Sequence, residues 1–539
     1  MVSFNYISQV LLVSAVAVSV RAEELLTDIT KIQRNWGQLS PYADNPEDIF
    51  GVGYVGLPDG CQIESVQTLQ RHAQRFATSY IDDGANDQRF ATKISNFTSA
   101  SNSLSSFSGP LSFLNSYRYP LVDTGLLVGK GAVTEMTAGV SFWNRYGRTL
   151  YNASVGQLAY NASFPNGIAR DPVVLRTTSQ SRIENSQINW ALGFFGSSFQ
   201  TVPNPSFTNI TKPFEVVIIT EGGSENNTLA SYDSCFSDYD ATLGYLGDLN
   251  LLAYIPKYLP AATARMQKYA PEGFAFNVND TYAMQSICAY EHAYIGMSSF
   301  CELFTAEEWS GFENTLDMEY YYDYSYGNPT GRAQGVGYAQ ELLARLNHTV
   351  ITSSSSSVNS TLDDNTETFP TDQAFYADFS HDDILVSVLT ALSVDYFYDP
   401  PSLTQFPPNP NRHFILSQLT PFGANLITET IGCSSSNPDP VEKSRVSYTP
   451  GQYGYDSANA SHKFIRMRLN NGIVPLNTIR GGACGNSTTG RVDGMCAKED
   501  FVASQANSTT LANYQYACFG NYTVTNVPGG KDYDGTIFE

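Results

Sequence analysis

An α/β fold is what this sequence predicts, on three observations. The run Asp171-Pro172-Val173-Val174-Leu175-Arg176 breaks into the turn formers Thr177-Thr178-Ser179-Gln180-Ser181, and Phe214–Ile219 does the same before Thr220-Glu221-Gly222-Gly223. Each has the pattern of a buried strand that hands over to a loop and helix. Between residues 232 and 345 the pattern changes: Leu, Ala, Tyr and Met recur at helical spacing in 243–268 and again in 334–346, so the middle of the chain is expected to be helical. With 539 residues, 42% apolar and 13% aromatic, the chain can bury one large core or two abutting ones.

The first 22 residues run apolar from Val10 to Val20 and end Val20-Arg21-Ala22, with small residues at the two positions a signal peptidase reads. This predicts a secretory signal at 1–22. No later stretch reaches about 18 apolar residues, so the mature chain is expected to be soluble, with no membrane partner. Twelve Asn-x-Ser/Thr sequons, at Asn96, Asn152, Asn161, Asn209, Asn226, Asn279, Asn347, Asn359, Asn459, Asn486, Asn507 and Asn521, predict a glycoprotein. Eight cysteines, Cys61, Cys235, Cys288, Cys301, Cys433, Cys484, Cys496 and Cys518, show no Cys-x-x-Cys metal spacing and read as disulfides of an oxidising compartment. Together these features place the protein outside the cell or in its wall. The serine run at 352–360, continuing into Asp363, Asp364 and Glu367, is expected to be an exposed glycosylated loop.

The formal charge is −22, and loss of Arg21 with the signal leaves it near −23. Such a surface excludes nucleic acid and anionic lipid, which need a broad positive footprint. An anionic small molecule would have to be held by a local cluster of arginine or lysine inside a pocket.

One segment supplies such a cluster. Leu69-Gln70-Arg71-His72-Ala73-Gln74-Arg75 sets two guanidinium groups within three residues of a histidine. Taken alone, the pair fits a solvated helix face. The chemical reading is that the arginines grip a phosphate through charge-assisted forks while the imidazole attacks phosphorus, kept neutral by the positive charge beside it. The second piece is Tyr376-Ala377-Asp378-Phe379-Ser380-His381-Asp382-Asp383, followed by apolar Ile384-Leu385-Val386. An apolar lead-in, a polar pivot and an apolar helix describe a loop at the carboxyl edge of an α/β sheet.

Arg71-His72-x-x-Arg75 far upstream of His381-Asp382 resembles the bipartite signature of the histidine acid phosphatases, the family that contains the fungal phytases. Further segments extend the resemblance in order: Lys130-Gly131 with 139–146, Leu175 to Arg182, Asn226-Asn227-Thr228-Leu229 with Cys235, Phe300 to Trp309, and Tyr321 to Pro329 with Ala333-Gln334-Gly335-Val336-Gly337. It implies a mostly parallel sheet flanked by helices, with a smaller helical insertion roofing the active-site cleft. On that scheme the α/β core takes up approximately 23–85, 165–225 and 345–539, and the insertion 86–164 and 226–344.

Carried over residue by residue, His72 matches the nucleophile, Asp382 the general acid, and Arg71, Arg75, Arg176 and His381 the groups around the phosphate. The implied substrate is a small phosphate monoester, with phytate (myo-inositol hexakisphosphate) a candidate, and neither a metal nor another cofactor is required. The implied disulfides are Cys61–Cys433, Cys235–Cys518, Cys288–Cys301 and Cys484–Cys496. Two positions depart from the family, which has Gly where this chain has Ala73 and Pro where it has Ala77. A methyl at 73 would crowd a close backbone approach but suits an ordinary conformation. Ala73 thus motivates a second reading, a weakened secreted glycoprotein that binds phosphate ligands or serves in the cell wall. His292, His348, His413 and His462 match nothing catalytic.

Overall fold

Strand β1 (Cys61–Arg71) runs through the centre of the sheet, parallel to β4 (Phe375–Ser380) on one side and antiparallel to β5 (Asn425–Cys433) on the other. The computed structural model describes residues 24–80, 84–100, 106–121, 124–196, 213–240, 242–480, 484, 491–524 and 533–539. The expected signal at 1–22 and the sequon residues Asn209 and Asn486 lie outside them. Among the described residues the sheet has eight strands in the order β3-β2-β4-β1-β5-β6-β7, with β8 (Cys496–Ala497) also on β6. Here β2 is Val173–Thr178, β3 Phe214–Ile219, β6 His462–Leu469 and β7 Gly472–Ile473.

The two predicted strands are β2 and β3, and they pair in parallel. The sheet is mixed, however, and not mostly parallel: β3, β2, β4 and β1 are parallel, whereas β5, β6, β7 and β8 all join antiparallel. The second half was hidden because β6 carries buried Arg466 and Arg468, whose charge is met by Glu429 on β5 at 2.6 and 3.0 Å. Polar residues at core positions mask the apolar pattern that marks a strand.

Helices cover both faces. Helix α1 is Ala85–Ala100, α2 Gly129–Phe142 and α3 Ser181–Phe195. The sequence reading put α2 in the insertion, but α2 crosses α3 against the sheet. A Cβ on Gly139 would lie 2.0 Å from the Trp190 carbonyl, and one on Gly193 2.0 Å from that of Met136. The bare glycines allow this backbone contact, and Phe142, Trp190 and Phe194 then pack on Phe375 and Phe379 of β4.

On the opposite face α7 (Gly331–Leu346) packs on α8 (Asp382–Ala391). Beyond them α4 (Leu246–Tyr258), α5 (Val278–Ile295) and α6 (Ala306–Tyr324) form a helical layer with α1. Its core is continuous with that of the sheet, running from Phe90 and Phe300 through Tyr258 and Phe312 to Leu385 and Leu69. Helices α5 and α6 begin with reciprocal capping boxes, Asn277 with Asp280 and Thr305 with Glu308, which satisfy orphan amide donors at each first turn.

The serine run is only partly exposed. Ser356 and Ser357 are buried against α7, and Ser356 donates to Gln340 at 2.7 Å. Small hydroxyl side chains fit where Gly337 leaves room for them. The four cysteine pairs are those implied by the resemblance, with Cys61–Cys433 joining register partners of β1 and β5. Of the sequon residues described, Asn359 is half-buried and Asn96, Asn152, Asn161, Asn226, Asn279, Asn347, Asn459, Asn507 and Asn521 are exposed. Among the described residues no helix is long and apolar enough to cross a membrane.

Candidate active site

Parallel register brings the two halves of the motif together. Arg71 at the end of β1 pairs with Ser380 at the end of β4, so the next residues, His72 and His381, emerge side by side. Their rings stand 5.9 Å apart, edge to face, at the carboxyl edge where α/β sheets place their chemistry.

His72 is 1% exposed. Its amide donates to the Ser380 carbonyl at 3.1 Å, and its own carbonyl accepts from Gly423 at 3.0 Å. Nδ1 lies 2.8 Å from the Ala73 carbonyl. A carbonyl can only accept, so Nδ1 carries the proton and Nε2 keeps its lone pair. Burial, then Arg71, Arg182 and Arg75, hold the ring well below the ordinary histidine range, neutral in mildly acidic solution.

Arg71 is locked. One terminal nitrogen donates to the carbonyls of Gln38 at 2.5 Å and Thr420 at 2.6 Å, and the other sits 2.5 Å from Asp382. The two loops that supply those carbonyls are themselves clamped by Glu313 on α6, which accepts from the amides of Gly37 at 2.7 Å and Ser417 at 3.0 Å. Arg75 donates to Tyr290 on α5 at 3.3 Å. Asp382 is the first residue of α8, where the helix dipole favours a carboxylate. It also accepts from Tyr320 at 2.8 Å. Burial would raise its carboxyl, but Arg71, Arg75 and the Tyr320 hydroxyl outweigh it and hold the group below the usual range.

Arg176 is elsewhere, contrary to the carry-over. It lies within β2, 2% exposed, with its guanidinium 2.9 Å from Glu341 and 3.4 Å from Asp363. Arg345 beside it makes a two-pronged contact with Asp378, at 2.5 and 3.0 Å. Arg176 is thus spent on a buried ion cluster below the sheet edge. The third cation near His72 is Arg182, past the turn that follows β2. Burial and then Arg75 push its guanidinium below the usual arginine range, and among the described residues it pairs with no carboxylate. A strand cannot carry both arginines to the sheet edge. Arg182 could have been found by asking which of them follows the turn.

Glu221 was also missed. It follows β3 as His381 follows β4, and its carboxylate lies 3.0 Å from His381 Nε2 and 2.6 Å from the Thr178 hydroxyl. Burial opposes its charge, yet His381 and Thr178 bring its pKa down to about 2. Tyr232 shares His381 Nε2 at 3.1 Å. Its position just after a predicted strand was the available signal.

Ala73 is fully buried and is not among the residues with positive φ, so its methyl costs no backbone strain. At Ala77 the methyl lies 2.6 Å from where a Cβ on Gly84 would be, and Gly84 holds φ at +103°; an alanine there is accommodated by a glycine opposite. Of the other histidines, His292 packs edge-on against Trp36 and His413 stacks on Tyr396, while His348 and His462 are exposed.

The arrangement can hold a compact anion between Arg71, Arg75 and Arg182, present it to an unprotonated imidazole nitrogen, and set a carboxyl beside it. Comparison with known proteins agrees with that chemistry. The chain is 27% identical to Phytase A of Aspergillus oryzae, with 89% of each chain covered, and 29% identical to Phytase A of Aspergillus fumigatus, covering 83% of this chain and 88% of the relative. Its fold is that of the crystal structure of the phytase from D. castellii, with a TM-score of 0.66 at 21% identity, over 92% of this chain and 88% of that one. Residues 62–449 match the model of the histidine phosphatase superfamily, branch 2, and the chain belongs to that superfamily.

Proposed function

We propose that this phosphoric monoester hydrolase is a secreted acid phosphatase that passes the phosphoryl group of its substrate through His72. In the first step Nε2 attacks phosphorus, the P–N bond forms and the ester P–O bond breaks, and Asp382 gives its proton to the departing alkoxide. In the second, Asp382 takes a proton from water, the oxygen attacks phosphorus, and the P–N bond breaks. Arg71, Arg75 and Arg182 face the equatorial oxygens, where charge gathers in phosphoryl transfer.

The observation that carries this reading is the His72 ring: its Nδ1–H is spent on the Ala73 carbonyl, and burial, with the charges of Arg71, Arg182 and Arg75, keeps its other nitrogen unprotonated. Asp382 starts ionised beside Arg71. A bound phosphate ester offsets the arginine charge that holds the carboxyl down, so it protonates most readily in the loaded site and at acidic pH. Glu221 holds His381 through Nε2, so His381 serves as a further donor to the phosphate through Nδ1, when acid protonates both ring nitrogens. The phytases among the relatives support inositol phosphates as substrates within the monoester class. Export is supported by the apolar segment at 10–20, by four disulfides and by exposed sequon residues.

Rapid alkaline quenching, which preserves the acid-labile P–N bond, during turnover of a labelled phosphate monoester tests the pathway. The label is expected on His72, and His72→Ala is expected to lose both label and turnover while folding normally. Label on any other side chain overturns the assignment.

A further inference from the structure

Beneath the nucleophile lies a carboxyl that the reaction does not use. Glu135, on the inner face of α2, is 0% exposed. One of its oxygens, Oε2, accepts from Gln70 Nε2 at 3.1 Å, and Oε1 has no hydrogen-bond partner among the described residues. The same Gln70 nitrogen donates to the Gly423 carbonyl at 2.9 Å, and the Gly423 amide donates to the His72 carbonyl at 3.0 Å. A continuous chain of contacts therefore runs from Glu135 through Gln70 and Gly423 to the backbone of the nucleophile.

The space is tight. Gly423 holds φ at +75°, and a Cβ placed on it would lie 3.0 Å from the Thr134 methyl, with Glu135 Oε1 at 3.8 Å and the Ala73 methyl at 3.9 Å beyond it. On the other side α2 is pressed onto the loop itself, since a Cβ on Gly131 would come 2.3 Å from the Gln74 carbonyl. Around Glu135, β1 presents neutral Gln70 and charged Arg71, the 423 turn presents backbone, and α2 presents neutral Thr134. Arg71 is already engaged with Asp382 at 2.5 Å.

We propose that Glu135 is a positioning residue for His72, its carboxyl fixing Gln70 and the Gly423 turn against the nucleophile's carbonyl, and that its ionisation, which this fully enclosed site accommodates only by shifting, disturbs the brace and closes the pH range of activity from above. Burial pushes the carboxyl well above the usual range, against the smaller opposing pulls of Gln70 and Arg71. The sign follows: an acid with a raised folded-state value contributes stability below the ordinary Glu range near ~4.3, and that contribution is lost as pH rises through the shifted value. Asp382 also limits activity at high pH, but through protonation of the leaving group, so its effect fades with a leaving group as good as p-nitrophenolate. The limit set by Glu135 does not.

The proposal rests on the phosphohistidine reading, and its test separates the two. With p-nitrophenyl phosphate, Glu135→Leu is expected to lower kcat about tenfold or more with little change in KM, since small displacements of a positioned nucleophile are costly. Glu135→Gln, which keeps an acceptor for Gln70 and cannot ionise, is expected to recover most of that loss and to move the alkaline half-activity point upward by about one pH unit or more. The loss of Tm between about pH 4 and about pH 7 should also shrink in Glu135→Gln relative to the parent. An active parent whose alkaline limb is identical in Glu135→Gln overturns this inference and leaves the phosphohistidine reading standing. A parent without turnover removes both.

Discussion

Arg176 and Arg182 stand in one short segment, Leu175 to Arg182, and have opposite fates. Arg176 points from a strand into a space already supplied with carboxylates: Glu341 and Asp378 outweigh the cost of burial and hold its guanidinium above the usual range. Arg182 lies beyond the turn, at the sheet's carboxyl edge. There burial and the like charge of Arg75 dominate and pull its guanidinium below the usual range. A cation outnumbered by its own protein's carboxyl groups, as Arg176 is, serves the structure, whereas a cation crowded by other cations is ready for an anion. Neither the residue type nor its distance from the motif tells the two apart. What faces each side chain does.

The largest effect expected from this contrast falls on turnover. Arg182→Ala removes a cation that acts on His72 and has no carboxylate partner among the described residues, so kcat/KM should drop by on the order of a thousandfold. Tm should hold or rise, because the repulsion between Arg182 and Arg75 is relieved. A variant that loses stability and keeps its rate would make Arg182 structural and dissolve the contrast.

Next in size is a loss of stability. Arg176→Met leaves Glu341 and Asp378 buried with one cation fewer, and removing one member of a buried ion cluster typically costs about 3–5 kcal/mol. Asp363 softens this, because burial and the neighbouring Glu341 push it up to about 9, so it joins the cluster as a neutral acid at working pH. Chemical denaturation should show the loss, with kcat/KM of the folded fraction within a few-fold of the parent. A thousandfold loss of rate in this variant would return Arg176 to the phosphate site.

The same contrast measures what was legible in the sequence. His72 could be read from the two arginines that flank it and His381-Asp382 from its place after an apolar lead-in, and parallel register between β1 and β4 brings them together. Glu221 obeys the same rule after β3, and Arg182 follows the turn after β2, so both were within reach of a strict reading of strand ends. Glu313 and Glu135 were not. Each is a buried carboxyl on a helix, and its partners, the Gly37 and Ser417 amides in one case and Gln70 in the other, are far away in the chain. The antiparallel half of the sheet was hidden for a related reason, since Arg466 and Arg468 meet Glu429 only after β5 and β6 have paired.

Ala73 carries the smallest predicted effect and sharpens the contrast from the side of the backbone. Its methyl is fully buried, its backbone is not left-handed, and the neighbouring Gly423 leaves the room that a side chain there would fill. Glycine at 73 would therefore relieve no strain and would add freedom to the unfolded chain. Ala73→Gly is expected to keep kcat/KM within about threefold, because the His72 ring is placed by contacts on either side of this methyl and not by the methyl itself. It should cost roughly 0.5 to 1 kcal/mol of stability. Measuring kcat/KM and Tm for this one substitution decides the matter. A gain in rate of tenfold or more would mean that the methyl displaces the nucleophile, and the brace that runs from Glu135 to His72 would then be holding the ring short of its best position.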